Sequence, residues 1–286
     1  MHYKSFYINL DRSTERRVEM EAQLSGFGLR DHYCRFPGSD GNSLGFPNGK
    51  LLPGEIGCFT SHYLLLKEHI GQTQPLHVVE DDVLFSRFTA AAVGSTAESD
   101  HVKHYDIVYT DVYIPVSNIL YKKYRDIYQK SIHRDDKGNI VNSDFNIIDM
   151  KNVGFASTTS MIINPSSIEK IVRLYAEVLQ NGASKPIDLF LREKADEGRL
   201  KIGCLFPFVT SVRLEASVFG TTIDPSPKHY SQIAGTLARQ AFFLDCDWNK
   251  CREFIHRYLT MPLEDDQLQL LTHILGFTLD ERFRFE

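Results

Sequence analysis

The sequence has little to cross-link it and little to anchor it. Only five cysteines occur, Cys34, Cys58, Cys204, Cys246 and Cys251, with no Cys-x-x-Cys spacing among them. An odd, scattered set does not build a disulfide framework, and it fits a reducing compartment. No stretch approaches the ~20 apolar residues of a spanning helix. The opening MHYKSFYINLDRS lacks the apolar run of a secretory signal. A cytoplasmic protein is expected, at most peripheral to the cytoplasmic face of the inner membrane. Basic residues are not in excess: the net charge of −5 argues against a dedicated nucleic-acid binder. Internal repeats and low-complexity segments are absent too, so the chain does not read as a repeat array.

What is present suits a large core. With 286 residues, 42% of them hydrophobic, the chain is long enough for one big α/β domain with an appendage. Phe6, Ile8 and Leu10 alternate as a strand before the turn-prone Asp11-Arg12-Ser13. Residues 14–24 then read as a helix, with Val18 and Ala22 on one face, Met20 and Leu24 flanking it, and Gly26 as a stop. A Gly-, Asn- and Pro-rich loop fills 37–50. From Pro53 a long helix is expected, with Ile56, Phe59, Tyr63, Leu66 and Ile70 at spacings of three and four, ending at Gly71.

Leu76-His77-Val78-Val79 is a short apolar strand that runs into Glu80-Asp81-Asp82. Further strands are expected at 105–111, 153–163 and 200–206. Asn164 and Pro165 open a helix whose inward face is Ile168, Val172, Tyr175 and Leu179. A short helix follows Pro186. The Tyr-, Lys- and Arg-rich 119–146 reads as an inserted hairpin or mobile loop, and 227–286 as a helical C-terminal extension to a domain over 1–226.

The acidic triplet carries the first chemical signal. A carboxylate pair on the turn past a buried strand sits at the carboxyl edge of an open sheet, where such folds bind ligands. Hard divalent cations want these oxygens, and such a cation can neutralise a departing diphosphate. With 37 acidic residues in the chain, three in a row arise by chance about 0.6 times, so the string alone decides little. Position decides: Glu264-Asp265-Asp266 is the same string in helix-like surroundings, where a solvated face is the natural reading.

Four blocks in order, YINLDRSTERR at 7–17, Asp40-Gly41, LPGEIGCFTSHYLLLKEHI at 52–70 and VVEDDVLF at 78–85, resemble glycosyltransferase family 25, the lipooligosaccharide-biosynthesis galactosyltransferases. Gly-Glu-Ile-Gly-Cys followed by Ser-His is the most specific of them. A weaker match continues in ASTTSMII at 156–163 and at Pro186-Ile187-Asp188. The resemblance implies a GT-A-like, Rossmann-like nucleotide-sugar-binding fold with a mixed central sheet. It also implies a UDP-sugar donor, typically UDP-galactose, and inversion at the anomeric carbon. A divalent metal, usually manganese, and a glycan or glycolipid acceptor such as lipooligosaccharide complete the expectation. Residue by residue, it brings Asn9, Leu10, Arg12, Glu15 and Arg16 near the nucleotide. Asp40, Gly54, Gly57, Ser61, His62 and Asp81 join the donor site, and Glu80 and Asp82 hold the metal.

Several of these residues have a plainer reading. Arg17 fits a solvated helix face, and Cys58 fits core packing. His62 is either a satisfied core histidine or a substrate contact. Glu55 suits a helix first turn as well as it suits a substrate. Asp111, at a strand's carboxyl end, is a loop cap or a donor or acceptor contact. Asp188 is the expected general base, since inverting transfer needs one carboxylate to take the acceptor proton; it is also placed to cap a helix. The rival functions are an inactive nucleotide-sugar-binding module and a metal-dependent nucleotide-sugar hydrolase or nucleotidyltransferase.

Overall fold

A computed structural model describes residues 2–44, 51–113, 118–214 and 230–259. The end of the 37–50 loop, residues 227–229 and 260–286, and with them the second acidic triplet, lie outside the described residues.

The central sheet has seven strands in the order β2-β1-β3-β9-β5-β10-β8. They are β1 (Lys4–Asn9), β2 (Tyr33–Pro37), β3 (Leu76–Glu80), β5 (Ile107–Tyr109), β8 (Asn146–Asp149), β9 (Ser160–Ile163) and β10 (Ile202–Phe206). Strands β2, β1, β3, β5 and β10 run one way, and β9 and β8 run against them. This is a mixed central sheet in the α/β class, as expected. A two-stranded ladder of β4 (Val83–Phe85) with β11 (Thr210–Val212) lies beyond the acidic turn.

Both faces of the sheet are covered, which corrects the reading of β1 and the first helix. Phe6 and Ile8 pack on the main core, whereas Tyr7 is fully buried on the other face. A strand sheathed on both sides has no solvent face to alternate with. In α1 (Thr14–Gly26) Met20 and Leu24 are buried with Tyr7 and Val79, while Ala22 is exposed and Val18 is 65% exposed. Met20 and Leu24 are four residues apart and share a face; Val18, two residues away, points elsewhere.

The other face is covered by α2 (Pro53–Glu68), α6 (Ile168–Asn181) and α7 (Ile187–Asp196). Phe59, Tyr175 and Phe190 meet there ring to ring. Ile70, expected on the inward stripe, is 48% exposed because α2 stops at Glu68. Asn164 accepts from the N–H of Ser166 and opens the short 3-10 turn Pro165–Ser167 before α6, as its sequence position suggests.

Residues 119–146 are more ordered than a loop. Asn118–Ser131 forms α5, Ile132–Arg134 (β6) and Ile140–Ser143 (β7) form a hairpin, and β8 returns the chain to the sheet edge. Tyr124 and Tyr128, one helical turn apart, pack on Phe206 and Phe242. With Ile127, which also packs on the core, they dock a helix that carries several lysines and an arginine.

The C-terminal helices are α8 (Tyr230–Ala241) and α9 (Trp248–Leu259). Residues just past α8 bond to the chain near β11: Phe208 N–H donates to Phe242 O, and Leu244 N–H donates to Phe208 O. Within the expected extension, the stretch at Phe242 and Leu244 therefore packs directly on the sheet domain. Among the described residues no helix is long and apolar enough to cross a membrane.

Candidate functional site

The parallel strands β1, β3 and β5 end at one edge of the sheet. Antiparallel β9 begins there, which brings Ser157, Thr158 and Thr159 to the same place. A cavity of about 620 Å³ opens at this edge, a size that suits a small-molecule ligand. Its wall includes Arg12, Arg16, the Asp40 loop, the start of α2, the whole acidic triplet, Asp188 and Arg239.

Tight packing sets the floor. A Cβ on Gly57 meets Ser39 O at 2.6 Å, so the 38–42 loop approaches α2 as only glycine allows. Ser61 Oγ fixes the same contact, accepting from Ser39 N–H at 2.8 Å and donating to Gly57 O at 2.6 Å. Gly54 lines the cavity in the first turn of α2. Glu55 accepts from the N–H of Leu52 at 2.8 Å, the first-turn role foreseen for it.

The three acidic side chains have three different environments. Glu80 Oε1 accepts from Thr158 Oγ1 at 2.6 Å and lies 3.3 Å from His62 Nε2 and 3.6 Å from Cys58 Sγ. Burial pushes Glu80 upward, but His62, Thr158 and Arg16 outweigh it and hold its carboxyl down to about 2. Asp81 is satisfied on both oxygens, by Asn9 Nδ2 at 2.6 Å and Arg16 Nη2 at 2.5 Å. Burial nevertheless raises it, against the pull of Arg16 and Asn9.

Asp82 has Arg16 Nη2 at 3.1 Å from one oxygen, while Oδ1 is buried with no hydrogen-bond partner. Burial pushes its carboxyl up to about 7, with Glu80 and Asp81 adding to the rise against Arg16. An orphaned buried carboxylate oxygen on a cavity wall fits a divalent cation, as does a donor set of hard oxygens. Asp82 and Glu80 are the residues that would hold it.

Asp188 lies in the first turn of α7, one position inside the helix start rather than at the cap. Its Oδ2 accepts from Ser157 N–H at 3.0 Å and its Oδ1 from Leu189 N–H at 2.7 Å. Ser157 has φ +97°, a left-handed value unusual for a residue with a side chain.

Two expected residues, Asn9 and Asp111, lie near the cavity but do not line it. Asn9 is buried beneath the triplet, with Arg35 Nε donating to its Oδ1 at 3.0 Å. Asp111 is fully buried and holds Arg239 and Thr210 rather than facing the cavity. Leu10 and His62 line the wall, and His62 is only 2% exposed. Arg12 reaches the wall while ion-paired to Asp40.

Arg239 is the residue that sequence reasoning missed. It lines the cavity, donates Nε to Asp111 Oδ2 at 2.5 Å and sends Nη2 to Ser157 Oγ at 3.2 Å. No local pattern announces it, since its partner Asp111 lies 128 positions away in sequence.

The family profile described as "Glycosyltransferase family 25 (LPS biosynthesis protein)" matches residues 46–191, about half of the chain. That span holds α2, the acidic turn and Asp188. The chain is similar to a "Glycosyltransferase 25 family member" of Anopheles gambiae, 31% identical over 124 residues, covering 36% of this chain and 21% of that protein. A protein of the same description from Drosophila melanogaster is 29% identical over 124 residues, covering 36% and 20%. The match thus spans about a fifth of these relatives. Among solved structures, the galactosyltransferase LgtC with donor and acceptor sugar analogs aligns at 12% identity over 70% of this chain and 72% of its own, with a TM-score of 0.33. A likeness that distant supports no argument about chemistry.

Proposed function

The chain belongs to glycosyltransferase family 25, and from that premise we propose that it moves galactose from UDP-galactose onto a glycan acceptor of the lipooligosaccharide type, with inversion. One observation carries the reading: the buried, unpartnered Asp82 Oδ1 and the oriented carboxylate of Asp188 line the same cavity. A cation-hungry oxygen and an oriented base are what metal-assisted transfer from a nucleotide diphosphate needs.

Inverting transfer is one displacement. The acceptor oxygen bonds to the anomeric carbon as the bond from that carbon to phosphate breaks. The hydroxyl proton passes to Asp188, and the electron pair leaves on the diphosphate. The N–H groups of Ser157 and Leu189 fix the orientation of the Asp188 carboxylate, so little reorganisation is needed at the moment of attack. Arg12 and Arg16 lie on the wall that would face the departing diphosphate, and guanidinium suits phosphate oxygens. A divalent cation, manganese on the family resemblance, would be held by Asp82 and Glu80 and supplies charge neutralisation to the leaving group.

The test is a donor screen. UDP-galactose, UDP-glucose and UDP-N-acetylglucosamine are supplied separately with manganese and truncated lipooligosaccharide, and the product is read by mass spectrometry. A hexose added only from UDP-galactose supports the proposal. Addition from another donor replaces the galactose assignment.

A further inference from the structure

Cys58 and His62, which sugar transfer as proposed does not use, form a constellation with Glu80. Cys58 and His62 are one turn apart on α2 and so share a face. Glu80 reaches the same point from the end of β3. One ligand atom from each lies within 4.8 Å of the other two.

The separations suit a particular ion. Zinc with a bond of about 2.3 Å to sulfur and about 2.0–2.2 Å to nitrogen and oxygen, in tetrahedral array, puts sulfur about 3.6 Å from oxygen and nitrogen about 3.4 Å from oxygen. Here Cys58 Sγ is 3.6 Å and His62 Nε2 3.3 Å from Glu80 Oε1. Thr158 Oγ1, donating to that carboxylate at 2.6 Å, is an outer-shell partner that holds it in place. All three side chains line the cavity, which leaves a fourth position open to water or a ligand oxygen.

We propose that Cys58, His62 and Glu80 form a zinc site that shares Glu80 with the carboxylate site for a hard cation, so that the two ions compete for that side chain. Thiolate and imidazole favour zinc over manganese or magnesium, which prefer oxygen. On binding, the thiol proton of Cys58 goes to solvent and the thiolate takes its place on the metal. If the cavity is the donor site, as proposed above, zinc here engages Glu80 and inhibits transfer instead of supporting it.

The test needs no turnover. The full chain, stripped with chelator and kept in a phosphine reductant, is loaded with one equivalent of zinc and measured by zinc-edge X-ray absorption. The expected shell has one sulfur at about 2.3 Å, the rest being nitrogen and oxygen. That sulfur is expected to vanish in Cys58→Ser and to persist in Cys246→Ser. A shell without sulfur overturns the site, as does retention of the sulfur in Cys58→Ser. A shell with two sulfurs overturns it in favour of the Cys246–Cys251 pair, whose sulfurs are 3.5 Å apart. Should Cys58→Ser not fold, wild-type protein answers the same question: zinc is expected to slow iodoacetamide labelling of Cys58 at least tenfold while leaving Cys246 unchanged. Unslowed labelling of Cys58 overturns the proposal. These results hold or fail whether or not the chain transfers a sugar.

Discussion

Ser157 donates its backbone N–H to Asp188 Oδ2 at 3.0 Å from a left-handed conformation, φ +97°. Such a backbone costs about 1–3 kcal/mol and persists only where neighbours over-determine it. Two neighbours do so here. Thr159 Oγ1 lies 2.8 Å from Ser157 Oγ, and Arg239 Nη2 donates to that same Oγ at 3.2 Å. The ion pair Arg239–Asp111 thus reaches Asp188 through a single residue.

Asp188→Asn should still fold, because its amide oxygen keeps one of the two N–H bonds, to Ser157 or Leu189, and only the other is lost. As the proposed base, Asp188 should cost about 10²–10⁴ in turnover when replaced. Donor affinity, read by calorimetry beside the rate, should stay near wild type. Donor affinity falling in step with rate makes Asp188 a donor ligand.

Arg239→Met strands the buried carboxylate of Asp111, and removing one partner of such a pair costs about 3–5 kcal/mol. Denaturant unfolding should register that loss, and the double variant Arg239→Met, Asp111→Asn should recover much of it. Arg239→Lys keeps the charge but not the fork that spans Asp111 and Ser157. It should lower kcat more than it changes KM. Equal losses in both would remove the link to Asp188.

How legible all this is in the sequence depends on locality. The Gly-Glu-Ile-Gly-Cys helix and the acidic turn are short, continuous strings, so their positions and their shared sheet edge can be read directly. Arg239 cannot be found that way, because its meaning comes from Asp111, a strand end distant in sequence. The α5 helix hides for a different reason. Its two anchoring rings, Tyr124 and Tyr128, sit among lysines and arginines that mimic loop composition. Val18 illustrates a third limit: with Met20 and Leu24 also apolar, only tertiary packing on Tyr7 decides which face turns inward. The resemblance brings Asn9 to the donor site, and the strand end at Asp111 leaves a loop cap or a ligand contact open. What sequence cannot supply is that they lie beneath the wall rather than on it.

Acid stability offers an independent check on the core. His77 is fully buried between Tyr33 Oη at 2.6 Å and Ser160 Oγ at 2.9 Å, and burial lowers it from its ordinary value near 6.5 to about 3. Between those values the unfolded chain binds a proton that the folded chain refuses. His77 therefore costs no stability above about pH 6.5. As pH falls toward 3 the folded state weakens by up to about 1.4 kcal/mol per pH unit. Asp82, raised by burial to about 7, strengthens the folded state over the same range. The His77 slope should therefore appear as the difference between wild type and His77→Gln in urea unfolding from pH 7 to pH 4.

Two identical acidic strings give a built-in control for the metal assignment. Asp82→Asn and Glu80→Gln should each depress manganese-supported transfer by at least tenfold and weaken manganese binding in calorimetry. Asp266→Asn should change neither. Near wild-type manganese binding in Asp82→Asn would remove the metal role from the first triplet.

The most direct measurement is release of UDP from UDP-galactose with manganese, with and without a lipooligosaccharide acceptor, followed by NMR of the product's anomeric centre. An inverting transferase gives acceptor-dependent release and a β-linked galactose from the α-linked donor, with both lost in Asp188→Asn. Release that ignores the acceptor would identify a hydrolase, and tight binding without release would identify a binding module. Either result contradicts the proposed function.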